Sequence, residues 1–236
     1  MKKINTQHRT DEEEIMDDFS LKGEELRDAL DKIAVINRLL GGNTLTLEGI
    51  RQLVANTKEK QITIVDVGCG NGDMLRALAD FGKKNKYTFH LIGIDANAFT
   101  IEHAKHLSTD YPMIQYECWD IFQDAFSKLK YDIILCTLTL HHFKNNQINY
   151  LLQLFYSNAK LGIVINDLHR NILAYRLFQL VCFVFQLNKM SREDGLISIL
   201  RGFKKQELVE FSEKNNLKNY SIHWKWAFRY QWIIQK

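Results

Sequence analysis

Hydrophobic and polar positions divide the chain into three patterns. Residues 1–20 are polar and charged and read as loosely ordered. From Glu24 onward, Leu26, Leu30, Ile33 and Leu40 recur at steps of three or four residues or their sums, an apolar stripe on one face of a helix. Gly41 and Gly42 stop that helix, and Leu47, Ile50, Leu53 and Val54 mark a second. Nothing before residue 61 reads as a strand, so residues 1–58 form an N-terminal helical cap. The rhythm then changes. Residues 61–67 are a short β-branched run ending at Gly68, the pattern of a strand buried on both faces. The pattern next predicts helix over 73–81, strand over 90–94, helix over 99–107, and strands near 114–117 and over 131–136. Helix over 148–155 and strand over 163–166 complete this part. Strands alternating with helices predict a mostly parallel, doubly wound sheet within residues 59–236. After a helix over 205–214, Tyr220, Ile222, Trp224 and Trp226 alternate with polar residues, as do Phe228, Tyr230, Trp232 and Ile234. These are two adjacent strands, the last antiparallel.

The stretch 172–187 stands apart. Arg176 interrupts it, and the uncharged part is far shorter than the roughly 20 apolar residues of a spanning helix. Phe178, Val181, Phe183, Val184 and Phe185 make it apolar nearly all round, which predicts burial on more than one side. It either packs in the core or roofs an apolar pocket with the N-terminal helices, and peripheral contact with a membrane surface is compatible with it.

Composition narrows the classes. The 236 residues suit one α/β domain with a small helical addition. A net charge of +3 with scattered lysines argues against a nucleic-acid partner. Cys69, Cys118, Cys136 and Cys182 form no CxxC pair, so neither a zinc site nor a disulfide framework is expected, and a reducing cytoplasm fits. The N-terminus lacks the apolar core of a secretory signal. A monomer or a homodimer is equally compatible.

The strongest chemical signal is Asp66-Val-Gly68-Cys69-Gly70-Asn-Gly72-Asp73, between a predicted strand and a predicted helix. Glycines let the backbone turn sharply and a ligand approach it closely. The spacing is GxGxG; a dinucleotide fingerprint needs its third glycine where Asp73 stands, and no GK[ST] marks a P-loop. The second strand ends in Gly93-Ile-Asp95, where a carboxylate accepts from ribose hydroxyls. The third is followed by Trp119-Asp120-Ile121, an acceptor for an exocyclic amine beside an apolar residue for an adenine face.

This set, with the Leu138–Phe143 segment LTLHHF, resembles the class I S-adenosylmethionine-dependent methyltransferases over roughly residues 60–236. The resemblance implies a Rossmann-like, mostly parallel seven-stranded sheet with an antiparallel C-terminal strand. It also implies S-adenosylmethionine as cofactor, with S-adenosylhomocysteine as product. Gly68, Cys69, Gly70 and Gly72 would surround the methionine and ribose, and Asp66 would steady the loop or the ligand's ammonium. Asp95 and Ala96 would meet the ribose, Asp120 and Ile121 the adenine, and Thr137 completes the expected cofactor set. A narrower resemblance, carried by EEEIMDDF, INRLLGG and NDLHRN, is to bacterial methyltransferases of type III polyketide and phenolic-lipid pathways.

On the acceptor side, His141 and His142 follow the fourth strand at the sheet edge where open α/β sheets bind ligands, and histidine is the natural base near neutral pH. Of the two, His141 is the first choice. Asn166, His169 and Arg170 end the fifth strand, and with Arg38 and Arg201 they form the expected substrate-binding set; no metal is expected. The function expected is methyl transfer to oxygen of a small hydrophobic, aromatic or polyketide-like molecule. Carbon methylation of a quinone precursor, a protein methyltransferase and a non-catalytic cofactor-binding module stand as alternatives.

Overall fold

The computed structural model describes residues 4–55, 57, 59 and 61–236. Helices α1 (Glu24–Leu39) and α2 (Gly42–Val54) precede the sheet, broken apart at Gly41, whose φ of +80° no helix accommodates. Five strands then alternate with helices: β1 (Gln61–Val67), α3 (Asp73–Asn85), β2 (Thr88–Asp95), α4 (Ala98–Leu107), β3 (Ile114–Cys118), α5 (Asp124–Ser127), β4 (Tyr131–Thr137), α6 (Asn145–Asn158) and β5 (Ala159–Leu168). Next come α7 (Ile172–Val184), α8 (Lys189–Arg201), α9 (Lys205–Lys214) and the hairpin β6 (Tyr220–Lys225) and β7 (Arg229–Gln235).

The sheet has the order β3-β2-β1-β4-β5-β7-β6. β1 to β5 are parallel, and β7 runs antiparallel to both its neighbours. The expected fold class is therefore found: a Rossmann-like, doubly wound sheet with an antiparallel strand inserted near its C-terminal edge. Successive residues of each central strand feed opposite faces. Val65, Ile134 and Trp232 meet Phe155 and Phe211 of α6 and α9, while Ile64, Ile133 and Val164 meet Leu53, Leu75 and Leu78 of α2 and α3. α2 is thus part of the sheet's own core. It approaches so closely that a Cβ on Gly49 would stand 2.7 Å from Val164. Because chain order reverses between β1 and β4, a crevice opens at the carboxyl ends of the strands.

Three readings of the sequence need correction. Residues 4–20 are not loose. The guanidinium of Arg170 donates to the carbonyls of Thr6 and Gln7, and the N–H groups of Ile15 and Met16 donate to the buried Asp194 carboxylate at 2.7 and 3.0 Å. These partners lie more than 150 residues away, so the local sequence gives no sign of them. Second, α7 is not buried on several sides: Ala174 is its one buried residue, and Phe183 is 82% exposed. Third, α8 was not foreseen. Its buried positions mix Met190 and Ile199 with Ser191, Asp194 and Arg201, which blurs the apolar stripe. No helix among the described residues is long and apolar enough to cross a membrane.

Candidate active site

The turn after β1 is built on backbone conformations that L side chains rarely adopt. Gly68, Gly70 and Gly72 have φ of +68°, +51° and +78°. A Cβ on Gly68 would lie 2.4 Å from the Thr139 side chain, and one on Gly72 2.0 Å from the Tyr116 hydroxyl. The N–H groups of Gly68 and Cys69 donate to the Ile94 carbonyl. Asp95, at the end of β2, accepts from the N–H of Gly70 at 3.2 Å and from that of Asn97 at 3.0 Å. It is therefore a brace for the turn as well as a candidate ribose acceptor. Burial raises its pKa, although these N–H bonds pull the other way.

Asp66 is the telling residue of this half. It is buried, its Oδ1 has no hydrogen-bond partner, and burial, helped by the charges of Asp95 and Asp73, pushes its carboxyl up to about 8. An orphaned carboxylate oxygen here suits a ligand that brings positive charge. Ile121 is buried after β3, and Asp120 accepts from the Phe122 N–H at 2.9 Å. Thr137 meets Thr46 of α2 at 3.2 Å. Of the ten residues expected to hold the cofactor, nine line a single cavity; Gly72 lies behind it, packed on Tyr116. The uncrowded Gly70, where a Cβ would meet nothing nearer than Leu30 at 3.8 Å, the orphaned Asp66 and the acceptor at Asp95 fit S-adenosylmethionine.

The same cavity, about 1360 Å³, runs on to the ends of β4 and β5 under a roof of Leu30, Ile33, Leu177, Leu180 and Val181. That exceeds the 300–1,000 Å³ or so of a site for one drug-sized ligand. α7 thus takes the pocket-lining role with one face while its other face is open to solvent.

The two histidines have different surroundings. His141 is 2% exposed; its Nδ1 donates to Asp167 at 2.7 Å, and its Nε2 faces Glu14 at 3.6 Å. His142 has a quarter of its side chain exposed, and its Nδ1 donates to Asp17 at 2.6 Å. Burial alone would raise both partner carboxylates, but the histidines outweigh it. Asp167 is held low by His141, and Asp17 well below the carboxylate range by hydrogen bonds from His142 and Arg201. Glu14 shows the opposite balance, and burial pushes it up to about 7. Glu14, His141 and His142 bring three atoms able to ligate a metal within 4.8 Å of one another, a grouping not anticipated from sequence.

The expected substrate residues separate. Arg201 lines the cavity, where its guanidinium pairs with Asp17 and donates to the carbonyls of His141 and His142. His169 also lines it, but accepts from the Trp224 indole at 3.1 Å, and burial beside Lys204 and Arg170 pulls it down to about 4. It is not a cation at neutral pH. Three expectations are corrected. Arg38 points outward and pairs with Asp73 at 3.5 Å. The amide nitrogen of Asn166 is spent on the Gly42 carbonyl and Thr46 while its Oδ1 is buried without a partner, and Arg170 is spent on Glu207 and three carbonyls. All three lie outside the cavity lining. Sequence reasoning in turn passed over Asp17, Glu14 and Arg229. The first two sit in an acidic run that reads as a solvated surface, and Arg229 in an alternating strand reads as an outward polar position.

Comparison with known proteins agrees with this geometry. A family model described as a methyltransferase domain matches residues 64–162, the segment from β1 into β5. The ubiquinone biosynthesis O-methyltransferase of Coxiella burnetii (strain RSA 331 / Henzerling II) is 29% identical over 168 residues, 68% of this chain and 67% of that protein. Protein 235L of Invertebrate iridescent virus 6, a methyltransferase by name, is 30% identical over 104 residues; the match spans 43% of this chain and 36% of that protein. Among solved structures, the plantazolicin methyltransferase BpumL in complex with SAH superposes with a TM-score of 0.67 at 17% identity, over 88% of this chain and 89% of that one.

Proposed function

We propose that this chain, an S-adenosylmethionine-dependent methyltransferase, transfers the methyl group to an oxygen of a small hydrophobic, aromatic or polyketide-like acceptor. We further propose that His142 is the base and Asp17 its positioning partner. The observation that carries this reading is the single cavity, which joins the glycine turn and its strand-end carboxylates to a histidine–carboxylate pair beneath apolar walls. The name of the Coxiella relative supports oxygen as the receiving atom.

When bound, S-adenosylmethionine supplies a methyl sulfonium, an electrophile that needs no further activation. Asp66 would steady the glycine turn or meet the ligand's ammonium group, Asp95 would accept from ribose hydroxyls, and Asp120 and Ile121 would take the adenine edge and face. What remains for the protein is to hold the nucleophile in line and remove its proton, and positioning alone is worth several kcal/mol. Both histidines have Nδ1 fixed by a carboxylate, but His142 suits the second task better, because a quarter of its side chain is exposed to the cavity, whereas Nε2 of His141 is buried 3.6 Å from Glu14. A phenol has a pKa of about 10 and imidazole about 6.5, so the proton leaves as the oxygen attacks, and Asp17 stabilises the imidazolium that forms. His141, held between Asp167 and Glu14, sets the position of the segment.

The apolar walls and the outward face of α7, with Leu173, Phe183 and Val184 exposed, support an acceptor with a hydrocarbon part, collected at a membrane surface from the cytoplasmic side. A phenolic lipid of a type III polyketide pathway has that character. His142→Gln tests the assignment: turnover should fall while S-adenosylhomocysteine affinity stays within threefold. Unchanged turnover removes His142 as base. Co-flotation with phospholipid vesicles tests the surface contact, and its absence at low salt removes that part.

A further inference from the structure

Three arginines are buried among the described residues of this edge, and the fold treats them differently. Arg170, fully buried, is saturated by Glu207 and by the carbonyls of Thr6, Gln7 and Gly202. Arg201 has Asp17, Glu14 and the carbonyls of His141 and His142. Arg229 is only 3% exposed, yet its Nε and Nη1 are buried without a hydrogen-bond partner. Burial pulls its pKa down to about 10, and the carboxylate that acts against this, Asp167, is already engaged by His141. The first two arginines are structural rivets. The third is a cation stripped of water, with two of its nitrogens left without a hydrogen-bond partner, an arrangement that favours the arrival of a counter-charge.

Its surroundings sharpen the deficit. Arg229 opens β7 opposite Leu168, the last residue of β5, and lines the cavity together with Trp226, Ala227 and Phe228 of the preceding turn. Its Nη1 lies against Gly42, the first residue of α2, where a Cβ would stand 3.0 Å away. The N-terminus of α2 has no side-chain cap, and its macrodipole adds positive potential to that of the guanidinium. The Oδ1 of Asn37, beside the same glycine and also in the cavity lining, is buried without a partner as well. A cavity wall with an unpaired guanidinium and an uncapped helix start is short of one anion.

The position decides which ligand supplies it. Nine of the ten candidate cofactor residues sit at the ends of β1, β2 and β3, with Thr137 at the end of β4, and the backbone of Arg229 is three strands beyond β1 in the opposite direction, roughly 14 Å at ordinary strand spacing. We propose that Arg229 is an anion receptor at the acceptor end of the cavity, and that the acceptor carries a carboxylate which seats on its guanidinium fork. The planar fork matches a carboxylate through two parallel N–H bonds. This rests on the methyltransferase reading and adds an acidic group to an otherwise hydrophobic acceptor. It also gives the acceptor a fixed end, so that the nucleophile is placed by the distance between its carboxylate and its reacting oxygen.

The test uses the full chain saturated with S-adenosylhomocysteine, with 4-hydroxybenzoate and its neutral amide, 4-hydroxybenzamide, as probes in calorimetric titrations. The wild-type complex should bind the acid at least tenfold more tightly than the amide. Arg229→Met should abolish that preference, keep S-adenosylhomocysteine affinity within threefold, and melt at the same or a higher temperature without ligand, because a buried unpaired charge has gone. Arg229→Lys, which keeps the charge and loses the fork, should retain a reduced preference, and it decides the matter if the Met variant does not fold. A wild-type protein that binds acid and amide alike, or variants that keep the full preference, overturns the proposal. Loss of S-adenosylhomocysteine affinity in Arg229→Met, with 5′-methylthioadenosine binding unchanged, also overturns it by assigning the guanidinium to the cofactor's own carboxylate. Failure of the wild-type protein to bind S-adenosylhomocysteine at all would instead remove the methyltransferase reading beneath it.

Discussion

The two ends of the cavity are built by different means. The cofactor end is local: β1, the glycine turn and the start of α3 are continuous in sequence, and Asp95 reaches back only 25 residues to Gly70. The acceptor end is assembled over long range. Asp17 meets Arg201 across 184 residues and His142 across 125, and Arg9 donates to the Arg201 carbonyl across 192. A turn that must cradle one invariant ligand can be encoded in a short motif. A pocket for an acceptor that differs from enzyme to enzyme is made from whatever elements the fold can bring over the same edge.

The contrast predicts where damage will fall. The largest effect on cofactor affinity is expected at the local end. Gly68→Ala must hold φ +68° at a strain of roughly 1–3 kcal/mol and displace Thr139, which a Cβ would meet at 2.4 Å. S-adenosylhomocysteine affinity should drop about 100-fold in a titration; binding within threefold of wild type would mean that the turn does not cradle the cofactor. At the long-range end the signature reverses. His142→Gln should lower turnover by roughly 10²–10⁴-fold with cofactor binding intact. Asp17→Asn should lower turnover less and leave KM little changed, because it positions the base without touching the acceptor. Equal losses of cofactor affinity in both variants would collapse the distinction between the two ends.

A subtler break is in stability. The folded-state pKa of Glu14 is raised to about 7 from an ordinary 4.5. Between these values the folded protein keeps a proton that the unfolded chain has released. The contribution is therefore full below about pH 4.5 and is lost as pH rises through 7, a fall on the order of 3 kcal/mol. Glu14→Gln should flatten that part of the urea-denaturation profile against pH, whereas an unchanged slope would show that Glu14 ionises freely. The smallest effect is expected on the outer face of α7. Phe183→Ser should change stability by no more than about 0.5 kcal/mol, because the ring is 82% exposed. A large loss would mean that this face is covered in solution.

The same division explains what was legible in the sequence. Period-two and period-three-to-four patterns located the strands and most helices, since each element buries one side or both against a common sheet. The glycine spacing and Asp95 marked the turn after β1 because their partners are near in sequence. α8 escaped because its buried face carries Asp194 and Arg201, whose partners are backbone N–H groups and carboxylates of the N-terminal segment. The choice between His141 and His142 is not legible in the sequence for a related reason. Adjacent histidines look alike until Asp167 and Glu14 enclose one and Asp17 leaves the other facing the cavity. Arg38 and Arg170 looked like substrate contacts by their positions in short motifs, but one faces solvent and the other fastens the N-terminal segment.

One measurement tests the central claim most directly. Wild-type protein and His142→Gln would each be incubated with S-adenosylmethionine carrying a labelled methyl group and an organic extract of the source cells, after both had been shown to bind S-adenosylhomocysteine equally. The account predicts label in an organic-soluble product with the wild type and its near-complete loss with the variant. Label accepted instead by protein, or equal labelling by the two proteins, would contradict it.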